Sequence, residues 1–111
     1  MQLVSQEYEI TSENIEINTE ENTIVYENNV AFNSTNINFN ADTLNLNQNT
    51  ETFIAMGNPI SINFFDGSEF IEGQAKRIQI NKEQLILSEE VIIIKSGNKI
   101  SSEKMVINLD Q

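Results

Sequence analysis

Carboxylates are the main reactive groups of this chain: 17 Asp+Glu stand against 6 Lys+Arg, with no His and no Cys. Thiol and imidazole chemistry, disulfides and zinc sites built on N or S ligands are thereby excluded. Asp42, Asp66, Asp110 and the Glu89-Glu90 pair are the residues from which a two-carboxylate glycosidase would have to be built. Their spacing brings no pair to a common site, and Asp66-Gly67, between Phe65 and Phe70, reads as a turn. Glu20-Glu21 and Glu89-Glu90 suggest calcium, yet no D-x-D-x-D-G loop accompanies them. Lys76-Arg77 is the one adjacent basic pair; it could touch a phosphate, but it reads first as two solvated surface charges. The sequence therefore predicts no catalytic residue, no metal site and no cofactor. A net charge of -11 also disfavours nucleic acid and anionic membrane surfaces, both of which are bound by clustered Lys and Arg.

What remains is apolar, and it is regularly spaced. Hydrophobic residues make up 39% of the 111 positions, mostly Ile, Val, Leu and Phe. Ile15-Glu16-Ile17-Asn18, Leu44-Asn45-Leu46-Asn47, Ile60-Ser61-Ile62-Asn63-Phe64 and Ile78-Gln79-Ile80-Asn81 alternate strictly. That period of two predicts half-buried strands with one apolar face. No window carries a helical stripe longer than about two turns. The longest apolar run, 91–94, is far short of the roughly 20 residues that cross a bilayer.

The strands repeat. Ile10, Ser12, Ile15, Ile17 and Asn18 align with Phe39, Ala41, Leu44, Leu46 and Asn47. They align again with Gly73, Ala75, Ile78, Ile80 and Asn81, and with Ile100, Ser102, Met105, Ile107 and Asn108. A second block, Val25 to Phe32, matches Ala55 to Ile62 and, less closely, Leu87 to Ile93. The chain is thus about three and a half copies of a strand-pair unit of about 30 residues. Within the first block the apolar parity changes, for example from Phe39 and Ala41 to Leu44 and Leu46. A bulge or corner at the small residue would keep both halves facing inward. Asn at the sixth position suits a turn, and Glu27-Asn28-Asn29 and Gly57-Asn58-Pro59 read as further breaks. The prediction is an all-β chain: stacked bent strand pairs with an apolar interior, as a sandwich or solenoid. Residues 1–7 are expected to be a flexible N-terminal segment and 8–111 a single domain.

The run Asn40-Ala41-Asp42-Thr43-Leu44, then Ile54-Ala55-Met56-Gly57-Asn58-Pro59-Ile60, then Ile71-Glu72-Gly73-Gln74-Ala75 resembles the LptA/OstA family of lipopolysaccharide transport. Ser96-Gly97-Asn98-Lys99-Ile100 and the following Glu103 to Ile107 resemble its next repeat, so the likeness covers roughly residues 8 to 110. The chain departs from the family in carrying Asn or Gln where many members have Tyr, Lys or Arg. The resemblance implies an open β-jellyroll, a taco-like folded antiparallel sheet. It implies a non-catalytic periplasmic carrier, with the export signal absent from this chain and taken as removed. It implies lipopolysaccharide or a related glycolipid held by its acyl chains in an apolar trough. As partners it implies further copies joined end to end by strand addition, and LptC-like and LptD-like jellyroll domains.

The trough would be lined by inward residues: Ile15, Ile17, Ile24, Tyr26, Val30, Phe32, Ile37, Phe39, Leu44, Leu46, Phe53, Ile60, Ile62, Phe64, Ile78, Ile80, Leu85, Leu87, Val91, Ile93, Met105 and Ile107. Each is first a core residue, worth roughly 1.5–3 kcal/mol when buried. The large aromatics could plug the trough or line it. A structural β-solenoid without lipid, and an LptC-like partner of the same system, remain alternatives. The acidic surface would repel glycolipid phosphates, so attraction must come from the trough rather than from Lys76 and Arg77.

Overall fold

The computed structural model describes residues 8–109. The expected flexibility of 1–7, and Asp110 among the carboxylates, lie outside the described residues. Eight strands form one antiparallel sheet: β1 (Tyr8–Thr11), β2 (Asn14–Asn18), β3 (Thr23–Ser34), β4 (Ile37–Asn47), β5 (Thr52–Phe65), β6 (Phe70–Ile80), β7 (Gln84–Lys95) and β8 (Asn98–Asn108). The order is β1-β3-β4-β5-β6-β7-β8, with β2 also paired to β3. β1 and β2 are therefore two halves of one first strand, lying side by side with opposite ends of β3.

Every long strand bends once, and the bends lie in a column. Register breaks fall at Asn28 and Asn29 on β3, Asp42 on β4, 57–59 on β5, Lys76 on β6, Glu89 and Glu90 on β7, and Glu103 on β8. This crease divides the sheet into two arms. One arm holds β1 and residues near Phe32, Ile62 and Ile93; the other holds β2 and residues near Leu46, Phe53 and Ile80. The crease is the bulge expected from the parity change: extra residues on alternate strands shift the pleat and keep both halves facing in. Asn28 and Asn29 turn through the left-handed region (φ 68 and 53), which Asn tolerates. Glu89 and Glu90 do the same (φ 68 and 57), at a cost of order 1–3 kcal/mol each. These glutamates belong to the corner, and Glu90 takes an ion pair from Lys76 at 2.6 Å. At Gly57 an added Cβ would stand 2.7 Å from Ile60 Cγ1 and 3.2 Å from its backbone nitrogen, so the corner of β5 has room only for glycine unless Ile60 shifts.

The repeated Asn residues close the turns at the end of one arm. Asn18 Oδ1 accepts the amide of Glu21; Asn47 Oδ1 accepts those of Asn49 and Thr50; Asn81 Oδ1 accepts those of Glu83 and Gln84. At the opposite end, Asp66 does the same work for the β5–β6 turn. It accepts the amides of Ser68 and Glu69 and pairs with Lys95 Nζ at 2.9 Å. The Glu69 amide foremost, then Lys95, holds its carboxyl well below the usual carboxylate range. Its contribution to the fold is thus complete above the ordinary carboxylate pKa and is lost only as pH falls through the depressed one. In an acid titration followed by carboxyl chemical shifts, Asp66 is expected to protonate below the ordinary aspartate range. An Asp66 midpoint within or above the ordinary aspartate range would mean that the turn does not hold it.

Candidate functional site

Cross-strand partners point to the same face of a sheet, so the register defines continuous rows of side chains. On the β2 arm one inner row runs Ile17, Ile24, Leu46, Phe53, Ile80, Leu85, Ile107. The next runs Ile15, Tyr26, Leu44, Ala55, Ile78, Leu87, Met105. On the other arm Ile10, Phe32, Phe39, Ile62, Gly73, Ile93 and Ile100 make the corresponding row. These apolar rows run from one sheet edge to the other. No polar or charged side chain is buried among the described residues, and no buried side-chain N or O lacks a partner.

The middle of this face is filled by its own side chains. Val30, Phe32, Ile37, Phe39, Leu44, Leu46, Phe53, Ile60, Ile62, Phe64, Ile78, Ile80, Leu85, Leu87, Val91 and Ile93 are all buried. Phe32 stacks on Phe39 with ring centroids 5.0 Å apart and meets Phe53, from the opposite arm, edge-on at 5.4 Å. Tyr8 stacks on Phe32 at 5.5 Å and stands edge-on to Phe53 at 5.3 Å. The aromatics therefore plug the space between the arms. Ile24, Tyr26, Met105 and Ile107 are half-buried at the periphery of that core. Burial, and secondarily the Tyr8 phenol, pushes the Tyr26 hydroxyl above its ordinary pKa.

Ile15 and Ile17 depart from the expectation that inward residues are core. Both share the inner face with Tyr26 and Ile24, yet they remain 57% and 63% exposed. The physical reason is the split first strand. β1 packs Tyr8 and Ile10 against the core, while nothing from the opposite arm covers β2. Ile100 at the other edge is likewise exposed. A cleft of about 310 Å³ also lies where Tyr8 approaches Leu46 and Phe53, rimmed by Gln48 and Glu51 of the β4–β5 turn.

Several inward residues escape the sequence reading: Tyr8, Ile10, Ala55, Ile71 and Ala75. Ala55 and Ala75 sit in phase with their neighbours but are too small to signal a core by themselves. Ile71 sits beside Phe70, and adjacent apolar residues give no parity; Phe70 turns out to point outward, paired with Phe65 at 5.4 Å. The carboxylates form no group of three or more able to hold a metal among the described residues. Arg77 lies on the outer face in register with Met56 and Ser88. Among the described residues, no helix is long and apolar enough to cross a membrane.

The geometry agrees with known proteins. In its fold the chain is similar to the crystal structure of LptH from Pseudomonas aeruginosa, described as the LptA-homologous periplasmic component of the lipopolysaccharide transport device. The TM-score is 0.81 at 17% identity, over 96% of this chain and 78% of that one. The shared architecture is the open jellyroll that the sequence suggested. A comparison with curated proteins gives no match. The family model for the LptA/(LptD N-terminal domain) LPS transport protein matches residues 9–111. With its repeats, its open bent sheet and nearly its whole length accounted for, the chain belongs to the LptA/LptD N-terminal domain family of LPS transport proteins.

Proposed function

We propose that this protein is a non-catalytic periplasmic carrier of lipopolysaccharide or a related glycolipid. Acyl chains lie on the apolar inner face and pass along it between inner- and outer-membrane transport complexes. Copies of the chain, and LptC-like and LptD-like jellyrolls, join it by strand addition at the unpaired edges β1/β2 and β8. The observation that carries this reading is the stretch of inner face outside the filled core: Ile15 and Ile17 present apolar surface that the chain does not cover itself. A folded chain leaves few such surfaces without a use. Headgroup phosphates stay in solvent or are bridged by divalent cations, because the chain as a whole carries a net charge of -11.

A filled middle is also what a purely structural solenoid would have, and one experiment separates the two. A photo-crosslinking side chain is placed at Ile17 or Ile24 and, as a control, at the outward Asn45. Incubation with lipopolysaccharide is expected to give adducts at the two inner positions and none at Asn45. Adducts absent from both inner positions, in protein whose strand content is intact, would remove the carrier reading and leave the structural one.

A further inference from the structure

The two edges of the sheet differ in charge and match in direction. β1/β2 and β8 are related by the sequence repeat, with Ile10, Ile15, Ile17 and Asn18 answering to Ile100, Met105, Ile107 and Asn108. Both also run from the β1 arm to the β2 arm, because five antiparallel strands lie between them. A second copy stacked without being turned over therefore brings its β1/β2 parallel to β8 of the first. The repeat sets the natural register: Ile10 beside Ile100, Ile15 beside Met105, Ile17 beside Ile107. Every inner row would then run on into the next copy, and Ile15, Ile17 and Ile100, exposed in the single chain, would gain a neighbour at the open edge while their inner face stays available.

On the outer face the same register sets Glu9 beside Lys99. It sets Lys104 beside Asn14, with Glu16 the next outward residue along that edge. The outward positions of β1/β2 include two acids and no base, whereas those of β8 include two lysines; at the crease the same register sets Glu13 beside Glu103, one like-charge pair that the attractive contacts must outweigh. The geometry points to a charge rule at the junction: Lys99 of one copy meets Glu9 of the next, Lys104 lies diagonal to Glu16, and this complementarity fixes both polarity and register. Two β1/β2 edges brought together would oppose carboxylate to carboxylate, and two β8 edges lysine to lysine. With a net charge of -11 on each copy, general repulsion opposes association, so the local pairs decide which edges meet. The rule rests on the strand-addition reading proposed above and assigns it specific residues.

The test uses the full chain at low ionic strength, with association followed by sedimentation velocity over a concentration series. Lys99→Glu alone and Glu9→Lys alone are each expected to weaken association about fivefold, since an opposed pair replaces an attractive one. The double variant, with both signs reversed, is expected to return to within about twofold of the wild type. Polarity is read separately by Thr11→Cys and Ser101→Cys, clean probes because the chain has no Cys. A mixture of these two single variants, treated with a short bismaleimide, is expected to crosslink, and neither variant alone is. A wild-type chain that stays monomeric throughout overturns strand addition itself and the rule with it. A chain that assembles, but whose double variant is as weak as the singles or whose Ser101→Cys variant crosslinks to itself, overturns the charge rule and leaves strand addition standing.

Discussion

Phe32→Ala is expected to lower stability by about 3–5 kcal/mol, the range for truncating a fully buried phenylalanine. Phe32 is 1% exposed and is the one ring that touches Tyr8, Phe39 and Phe53 together. Phe39 lies on its own arm, Phe53 on the facing arm, and Tyr8 on the short strand β1. Removing the ring thus opens a cavity at the place where both arms and the sheet edge meet. Domains of this size have about 5–15 kcal/mol in all, so the variant would be marginal near room temperature. Urea unfolding checks this, with midpoint and slope compared to the wild type. Phe65→Ala is the internal control. Its ring pairs with Phe70 on the outer face and is 37% exposed, so a loss of no more than about 1 kcal/mol is expected. A Phe32→Ala loss below about 1 kcal/mol would show that the arms close without the aromatic plug.

The face on which a residue lies was legible from alternation, because a pleated strand ties side-chain direction to parity. Ile60, Ile62 and Phe64 on β5, and Ile78 and Ile80 on β6, all point inward as their spacing requires. The crease was legible for the same reason: Phe39 and Leu44 can share a face only if the strand bulges between them. Asn47 and Asn81 could be read as turn residues because their carboxamides satisfy turn amides locally. Cover was not legible. Ile15 and Leu44 follow the same pattern and sit in one cross-strand row, yet one is 57% exposed and the other fully buried. The difference lies in whether the opposite arm reaches over them, and that depends on where β1 ends and β2 begins. Glu89 and Glu90 were hidden for another reason. Their role is to carry the backbone through a left-handed corner, where Asn or Gly would be the expected signal.

Replacing Ile15 and Ile17 together by Asp is expected to abolish lipopolysaccharide capture while leaving the fold intact. Both side chains are already more than half exposed, so the unfolding midpoint should move by no more than about 0.5 kcal/mol per site. The effect on an acyl chain is much larger. Two isoleucine surfaces are lost, and two carboxylates must be stripped of water beside a hydrocarbon, at a cost of several kcal/mol. Every 1.4 kcal/mol is a factor of ten, so at least a thirtyfold rise in apparent dissociation constant is expected. Asn45→Asp, one charge on the outer face of the same arm, is expected to change it by less than about twofold. The measurement is to be made at concentrations at which the chain sediments as a monomer, because β2 is also an edge and its side chains would otherwise report on assembly. Unchanged binding in the double variant would mean that the exposed part of the inner face does not receive the lipid. In that case the cleft between Tyr8, Leu46 and Phe53 becomes the next place to look for an entry of acyl chains into the filled interior.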